Sequence, residues 1–329
     1  MTAPVSIVIP VYNGRELLAE LLESIDRQTI QPMEVLIVDN GSTDGAPEVA
    51  RRAGANVITM GRNAGFAAAV NRGIREARGE AIALINSDVR LDTGWLDELW
   101  RCMQERYADF VTGTIVRAEG LPELLDGTYD LICRGGCAWR AGAGRPAGTD
   151  PEALRPIAIC SATAALYRKE VFADVGNFEE SFESYLEDVD FGLRCAIRGK
   201  RGFYSPAAVC RHRGSSTFGQ WHPRVVRLMA RNQVWLIARN YPTGLIVRWL
   251  WPILIAQLLW GALALRHGCG WAWLRGKVQG LRRVAKPDGN LQGIKSIVEE
   301  SERRIWDLQV RTGFDTYWRI YFRLVGLPR

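Results

Sequence analysis

The chain has 329 residues, 47% of them apolar and 24% charged, enough to bury one large or two modest cores and incompatible with disorder, a collagen repeat or a disulfide scaffold. The net charge of +6 conceals a division: residues 1–199 carry 20 Lys and Arg against 30 Asp and Glu, whereas residues 200–329 carry 22 against 6. Seven cysteines without a C-x-x-C pair, and a start lacking a charged, apolar and cleavable leader pattern, lead us to expect a reducing cytoplasm.

The first half alternates. Val5 to Val11 is a β-branched apolar run, and Leu17 to Ile25 repeats its apolar residues at helical spacing. Glu34 to Val38 predicts a second buried strand, followed by the turn-rich DNGSTDG of residues 39–45 and a helix over Ala46 to Ala53. A third strand is expected over Asn56 to Met60, a helix over Gly65 to Arg78, and a fourth strand over Ala81 to Ile85, ending in Asn86, Ser87 and Asp88. This βαβα order implies a parallel sheet covered by helices, with ligands beyond the carboxyl ends of its strands. Polar clusters fall at those ends: Asn13, Asp39 with Asp44, Arg62 with Asn63, and Asn86 with Asp88. Neither G-x-G-x-x-G after the first strand nor G-x-x-x-x-G-K-[ST] occurs, which argues against dehydrogenases and nucleotide triphosphatases.

In LDTGWLDELW, Trp95 and Trp100 read as packing residues. Residues 116–156 are rich in Gly, Pro and Arg without periodicity and read as a long substrate loop, in which Cys133 and Cys137, with no His or Cys nearby to complete a metal set, are structural thiols. Ile157 to Tyr167 resumes regular structure, a helix follows over Lys169 to Val175, and the acidic stretch 179–190 leads into the helical FGLRCAIRG.

Five ordered motifs resemble glycosyltransferase family 2, especially its bacterial rhamnosyltransferase-like branch: VSIVIPVYNG at 5–14, VDNGSTDG at 38–45, RNAGFAAAVNRGI at 62–74, INSD at 85–88 and YLEDVDFGLRCAIRG at 185–199. The resemblance spans about residues 4–245. It implies a GT-A fold and transfer, with inversion, of a sugar from a nucleotide diphosphate donor carrying dTDP or UDP. The expected catalytic domain is 1–222, with a nucleotide-binding half to about 115 and an acceptor-binding half after it, followed by a helical tail over 223–329.

Carried over residue by residue, the resemblance assigns donor binding to Pro10, Tyr12, Asn13, Asp39, Arg62, Asn63, Asn86 and Asp88. A carboxylate at Asp39 can accept the imide N–H of uracil or thymine, or else cap the turn at Ser42 and Thr43. Arg62 can reach base or phosphate, or stay solvated. Asn86 and Asp88 stand where the family carries its D-x-D metal motif, here with one carboxylate, or they are strand-end caps. Asp188 matches the catalytic base and Glu187 its neighbour at the acceptor, while Asp190 reads as a structural acid at the helix start; a solvated acidic face is the plainer alternative. His212, 24 positions after Asp188, would join Asp88 on Mg2+ or Mn2+, against the alternative of a surface histidine among arginines.

Nine of the twelve tryptophans lie after residue 220. Residues 249–265 are uncharged, and a helix of 17 residues reaches about 26 Å, short of the roughly 30 Å hydrocarbon core. A span would place the basic end of the chain opposite the positive-inside tendency. The expectation is therefore a helix lying in the cytoplasmic leaflet of the inner membrane, preceded by a basic amphipathic helix over 224–241 and anchored by Trp235, Trp249, Trp251, Trp260, Trp271 and Trp273. A core hairpin or a homo-oligomer interface would use the same residues. Saccharide or lipid-linked saccharide acceptors of cell-surface polysaccharide or glycolipid synthesis follow from the resemblance. The rivals are a non-catalytic nucleotide-sugar-binding scaffold and a nucleic-acid binder, the latter disfavoured because the basic residues are mixed with Trp and long aliphatic runs.

Overall fold

A computed structural model describes residues 2–148, 153–214, 221–282 and 293–328. Short stretches of the expected acceptor-binding half (149–152 and 215–220) and of the tail (283–292) lie outside the described residues.

The amino-terminal alternation forms as its periodicity predicts: β1 (Thr2–Val11), α1 (Arg15–Asp26), β2 (Gln31–Asp39), α2 (Ala46–Arg52), β3 (Asn56–Thr59), α3 (Phe66–Glu76) and β4 (Ala81–Ile85). β1 pairs in parallel with β2 and β4, and β2 in parallel with β3. Both faces of the sheet are covered, so the centres of β1, β2 and β4 are near-continuous apolar runs instead of alternating. α1 buries Leu18, Leu21, Leu22 and Ile25 on one face, and α3 buries Ala67, Ala69, Val70 and Ile74 on the other. Gly73 lets α3 sit directly on the sheet, since a Cβ there would stand 2.3 Å from Val8 Cγ1.

Beyond β5 (Val89–Leu91), α4 (Trp95–Glu105) and β6 (Phe110–Arg117) the sheet becomes mixed. β11 (Ala164–Arg168) lies antiparallel between β4 and β6, and β12 (Gly202–His212) runs parallel to β6. The expected aperiodic loop is instead built from β7 (Leu125–Gly127), β8 (Asp130–Ile132), β9 (Ala138–Arg140) and β10 (Arg155–Ile157), each three residues long. Strands this short show no alternation that a sequence window could detect. Trp95 is fully buried, Trp100 packs at the core edge, and all seven cysteines are buried and free.

After α5 (Lys169–Val175), a 3-10 turn (Glu180–Phe182) and α6 (Glu187–Ile197), the tail is helical: α7 (Pro223–Asn240), α8 (Thr243–Arg248), α9 (Leu250–Arg266), α10 (Gly270–Arg282), α11 (Ile294–Thr312) and α12 (Thr316–Val325). α7 is not a surface helix. Its Trp235, Leu236 and Ile237 share a core with Phe182, Leu186, Val189 and Leu193, and Arg239 pairs with Glu179 and Asp190. Trp235 and Trp249 are therefore core residues, which corrects their expected anchoring role; Trp251 and Trp271 remain exposed. The arginines that made α7 look amphipathic and basic include Arg231, paired with the half-exposed Glu183, and Arg239, paired with the buried Asp190, pairings that helical spacing cannot reveal. Among the described residues no helix is long and apolar enough to cross a membrane. Arg134, between β8 and β9, forks onto the fully buried Glu302 of α11 at 2.8 and 2.9 Å and ties the tail to the insert.

Candidate active site

Three loops meet at the carboxyl ends of β1, β2 and β3. Asn13 takes a left-handed backbone (φ 61°), receives Thr43 N on Oδ1 at 2.9 Å and donates its own N–H to Ser42 Oγ at 2.9 Å. Asp39 is buried, and its Oδ1 accepts Ser42 N at 2.9 Å, the capping bond expected of an Asp at a turn. The neighbouring Asn40, which sequence reasoning passed over, accepts Ala64 N at 2.8 Å and donates to Gly65 O at 3.1 Å and to Asn63 Oδ1 at 3.3 Å. Gly41 (φ +88°) allows the close approach of the third loop, because a Cβ there would lie 2.9 Å from the backbone of Arg62. Pro10 is half-buried, and Tyr12, Arg62 and Asn63 are exposed along this rim.

Asn86 and Asp88 follow β4, and β12 delivers His212 beside them. His212 Nε2 lies 3.2 Å from Asp88 Oδ1, and Nδ1 lies 2.9 Å from Asp126 Oδ2. Burial opposes charge on this imidazole, but the two carboxylates outweigh it and raise its pKa to about 9. Burial likewise opposes the Asp126 charge, yet His212 and Arg140 hold its carboxyl down at about 2. Asp126 belongs to the aperiodic insert and carried no signal in the sequence.

The acidic pair stands at the start of α6. Glu187 is buried, and its Oε2 has no hydrogen-bond partner among the described residues. Burial, with Asp188 and Asp130 adding repulsion, pushes the Glu187 carboxyl well up. Asp188 is half-buried; its Oδ1 accepts Val189 N at 2.9 Å and its Oδ2 accepts Ala162 N at 3.3 Å. Burial raises the Asp188 pKa, while the Arg140 charge and the amide bonds work the other way. Asp190 is fully buried and engaged by Arg194, Arg239 and Asn240, so its role is structural.

Arg140, on β9, connects the two acidic groups. It donates to Asp126 at 2.9 Å, to Asp130 at 3.3 Å and to Ser161 Oγ at 2.5 Å. Its own pKa is raised: burial disfavours the charge, but Asp130, Asp126 and Asp188 favour it more. Burial also lifts Asp130 to about 6 against the pull of Arg140. Thus the imidazole rim and the α6 acids form one electrostatic unit.

Among the described residues no three His, Cys, Asp or Glu side chains converge as a metal cage. The chemistry of Asp88, His212 and Asn86 nevertheless fits a hard divalent ion. Asp88 and His212 Nε2 are adjacent, and Asn86 Oδ1 is a buried oxygen with no hydrogen-bond partner among the described residues. Carboxylate, amide oxygen and imidazole suit Mg2+ or Mn2+, and Asp126 on the far ring nitrogen is the usual support of a histidine ligand.

A mostly parallel sheet with polar loops at its strand ends, continued by a mixed half that carries an acidic helix start, fits a GT-A glycosyltransferase, the class that comparison with known proteins shows. Residues 6–176 match the family model described as glycosyl transferase family 2, and the chain belongs to that family. It is 31% identical, over 244 residues covering 66% of this chain and 78% of the relative, to the N-acetylglucosaminyl-diphospho-decaprenol L-rhamnosyltransferase of Mycobacterium tuberculosis. Two solved structures share the fold at low identity. A mannosyltransferase from Pyrobaculum calidifontis in complex with GDP-Man and Mn2+ has a TM-score of 0.52 and 17% identity, over 99% of this chain and 87% of that one. GalNAc-T7 with UDP, GalNAc and Mn2+ has a TM-score of 0.61 and 12% identity, over 94% of this chain and 58% of that one.

Proposed function

We propose that this glycosyltransferase transfers a sugar, with rhamnose as the first candidate, from a dTDP- or UDP-sugar to a saccharide or lipid-linked saccharide acceptor, with inversion, in bacterial cell-surface polysaccharide or glycolipid synthesis. The mycobacterial relative's name supports the sugar and the acceptor class. The observation that carries the chemistry is the Arg140 network, which joins Asp126 and His212 electrostatically to Asp188.

In this reading Asp39 accepts the imide N–H of the donor base through Oδ2, its Oδ1 being held by Ser42 N. Pro10, Tyr12, Asn13, Arg62 and Asn63 line the donor's approach. Asp188 takes the proton of the acceptor hydroxyl as that oxygen bonds to the anomeric carbon, and the bond to the diphosphate breaks on the opposite face. Burial makes Asp188 a stronger base than a solvated Asp, while the Arg140 charge opposes that rise and favours the carboxylate. Glu187, whose carboxyl burial pushes well up, stands beside Asp188 at the acceptor, where its unpartnered Oε2 is placed to hydrogen bond an incoming hydroxyl. A divalent ion held by Asp88, His212 and Asn86 would offset the charge of the departing diphosphate.

The tail suits a membrane surface. α9 and α10 expose Leu258, Leu265 and Trp271 at 60, 71 and 70%, beside Arg248, Arg266 and Arg275. An apolar face bordered by cations matches the cytoplasmic leaflet of the inner membrane, where a lipid-linked acceptor resides.

The test is turnover of dTDP- and UDP-sugars on a lipid-linked saccharide with Mg2+ or Mn2+, with the anomeric configuration of the product read by NMR. Asp188→Asn should lower turnover about 10²- to 10⁴-fold while donor affinity is retained. Full activity in that variant refutes the base assignment, and retention of configuration refutes inversion.

A further inference from the structure

The segment that delivers Asp188 is strained. Glu183, Tyr185 and Leu186 have φ of 62, 74 and 69°, three non-glycine residues in the left-handed region within four positions. One local bond, from Ser184 N to Phe182 O at 2.7 Å, closes a tight turn at Glu183, but none of the three residues is Asn, Asp or Gly, the types that favour positive φ. Such a conformation persists only where surrounding groups over-determine it.

Two adjacent residues of α7 supply that restraint. Asn232, fully buried, brings Nδ2 to 3.0, 2.9 and 2.8 Å from the carbonyl oxygens of Phe182, Ser184 and Tyr185. Its Oδ1 accepts Arg231 Nε at 2.9 Å. The same guanidinium donates to Ser181 O at 3.1 Å, to Phe182 O at 2.9 Å and to Glu183 Oε1 at 2.6 Å, and lies 4.3 Å above the Trp235 ring. On the opposite side α3 closes the grip. Ala67 N donates to Glu183 O at 3.1 Å, and a Cβ on Gly65 would meet the Glu183 backbone at 2.8 Å. Asn71 holds the start of the segment through Phe178 O at 2.8 Å and Glu180 Oε1 at 3.0 Å.

We propose that Arg231 and Asn232 are positioning residues, a strut that holds Glu183, Tyr185 and Leu186 at positive φ so that α6 begins where Asp188 meets the acceptor. The first tail helix is then part of the catalytic apparatus. α10 backs it closely: Gly276 and Gly280 pack on α7, where Cβ atoms would stand 2.3 Å from Arg227 O and 2.8 Å from Val234 Cβ. This inference rests on Asp188 as the base.

Asn232→Ala, Tyr185→Gly and the double variant form the test, with Arg231→Lys as a milder change that keeps the charge facing Glu183 and removes the fork. A displacement of about 1 Å at a reacting group can cost about 10²-fold in rate. Asn232→Ala should therefore lower kcat by about that factor, with donor affinity within about twofold of wild type. Because glycine adopts a left-handed backbone without penalty, the loss caused by Asn232→Ala should shrink several-fold in the Tyr185→Gly background. Amide exchange should rise over residues 183–190 and not in β1, β2 or β4. A kcat within about threefold of wild type in both Asn232→Ala and Arg231→Lys overturns the proposal, as does an equal loss in both backgrounds. If wild type turns over no nucleotide sugar, the reading of the enzyme fails, and unchanged exchange over 183–190 in either strut variant still overturns the strut.

Discussion

Asp126 Oδ2 and His212 Nδ1 stand 2.9 Å apart, bridging the insert and the last strand of the sheet. The contact aims the other ring nitrogen at Asp88, 3.2 Å away. A histidine fixed in this way enters a metal site preoriented, which is why supporting carboxylates matter nearly as much as ligands. Asp126→Ala should weaken Mn2+ or Mg2+ binding about 10- to 100-fold, read by metal titration of turnover and of thermal stability with nucleotide present. An unchanged metal response would show that Asp126 does not support a ligand.

At the donor rim the loops of Gly41 and Arg62 approach so closely that a Cβ on Gly41 would stand 2.9 Å from the Arg62 backbone. Gly41→Ala combines a left-handed backbone with a Cβ overlapping main chain, neither of which a side-chain shift relieves. We expect a stability loss of about 1–3 kcal/mol in urea unfolding and a several-fold rise in donor KM with little change in kcat. A variant with wild-type KM would separate this loop pair from donor binding.

Lys277 of α10 is half-buried, and its Nζ donates to Gln233 Oε1 and Gln257 Oε1 close to Cys137. Burial lowers its pKa to about 8, with Cys137 pulling the other way. Since the folded value lies below the ordinary 10.5, the cost of burying the charge is fully present below pH 8. It is relieved as pH rises toward 10.5, where the folded state has released a proton that the unfolded state still binds. The stability of wild type relative to Lys277→Met should therefore rise across pH 8 to 10.5 in parallel denaturation series. A flat difference would mean that Lys277 titrates normally.

The exposed face of α9 and α10 predicts binding to anionic vesicles. Leu258→Glu and Trp271→Glu should each weaken co-sedimentation with vesicles rich in phosphatidylglycerol about 10- to 100-fold, given roughly 1.5–3 kcal/mol for burying a large apolar side chain. Added salt should weaken wild-type binding as the cationic border is screened. Equal pelleting of wild type and both variants would count against this face as the docking surface.

The elements read correctly from sequence are those whose signal is local. β1 through β4 and their helices follow from short-range apolar periodicity, and α7 from three- and four-residue spacing. The turn residues at the strand ends were legible because a parallel sheet places such ends together whatever the details of packing. The run containing Glu187 and Asp188 is compact and opens a helix, and the role given to those two residues came from the family resemblance.

What tertiary structure decided is every contact between distant segments. Asp126 and Arg140 lie in a stretch without periodicity and gain their role only when three-residue strands bring them to His212 and the α6 acids. The tryptophans of the tail have one composition and two fates: Trp235 and Trp249 are enclosed, Trp251 and Trp271 are exposed. Apolar spacing states that a helix has a face to bury, but the partner that covers it is chosen by the fold, and the same holds for a charge whose counter-charge lies far along the chain, as Arg239 does from Asp190 and His212 from Asp126.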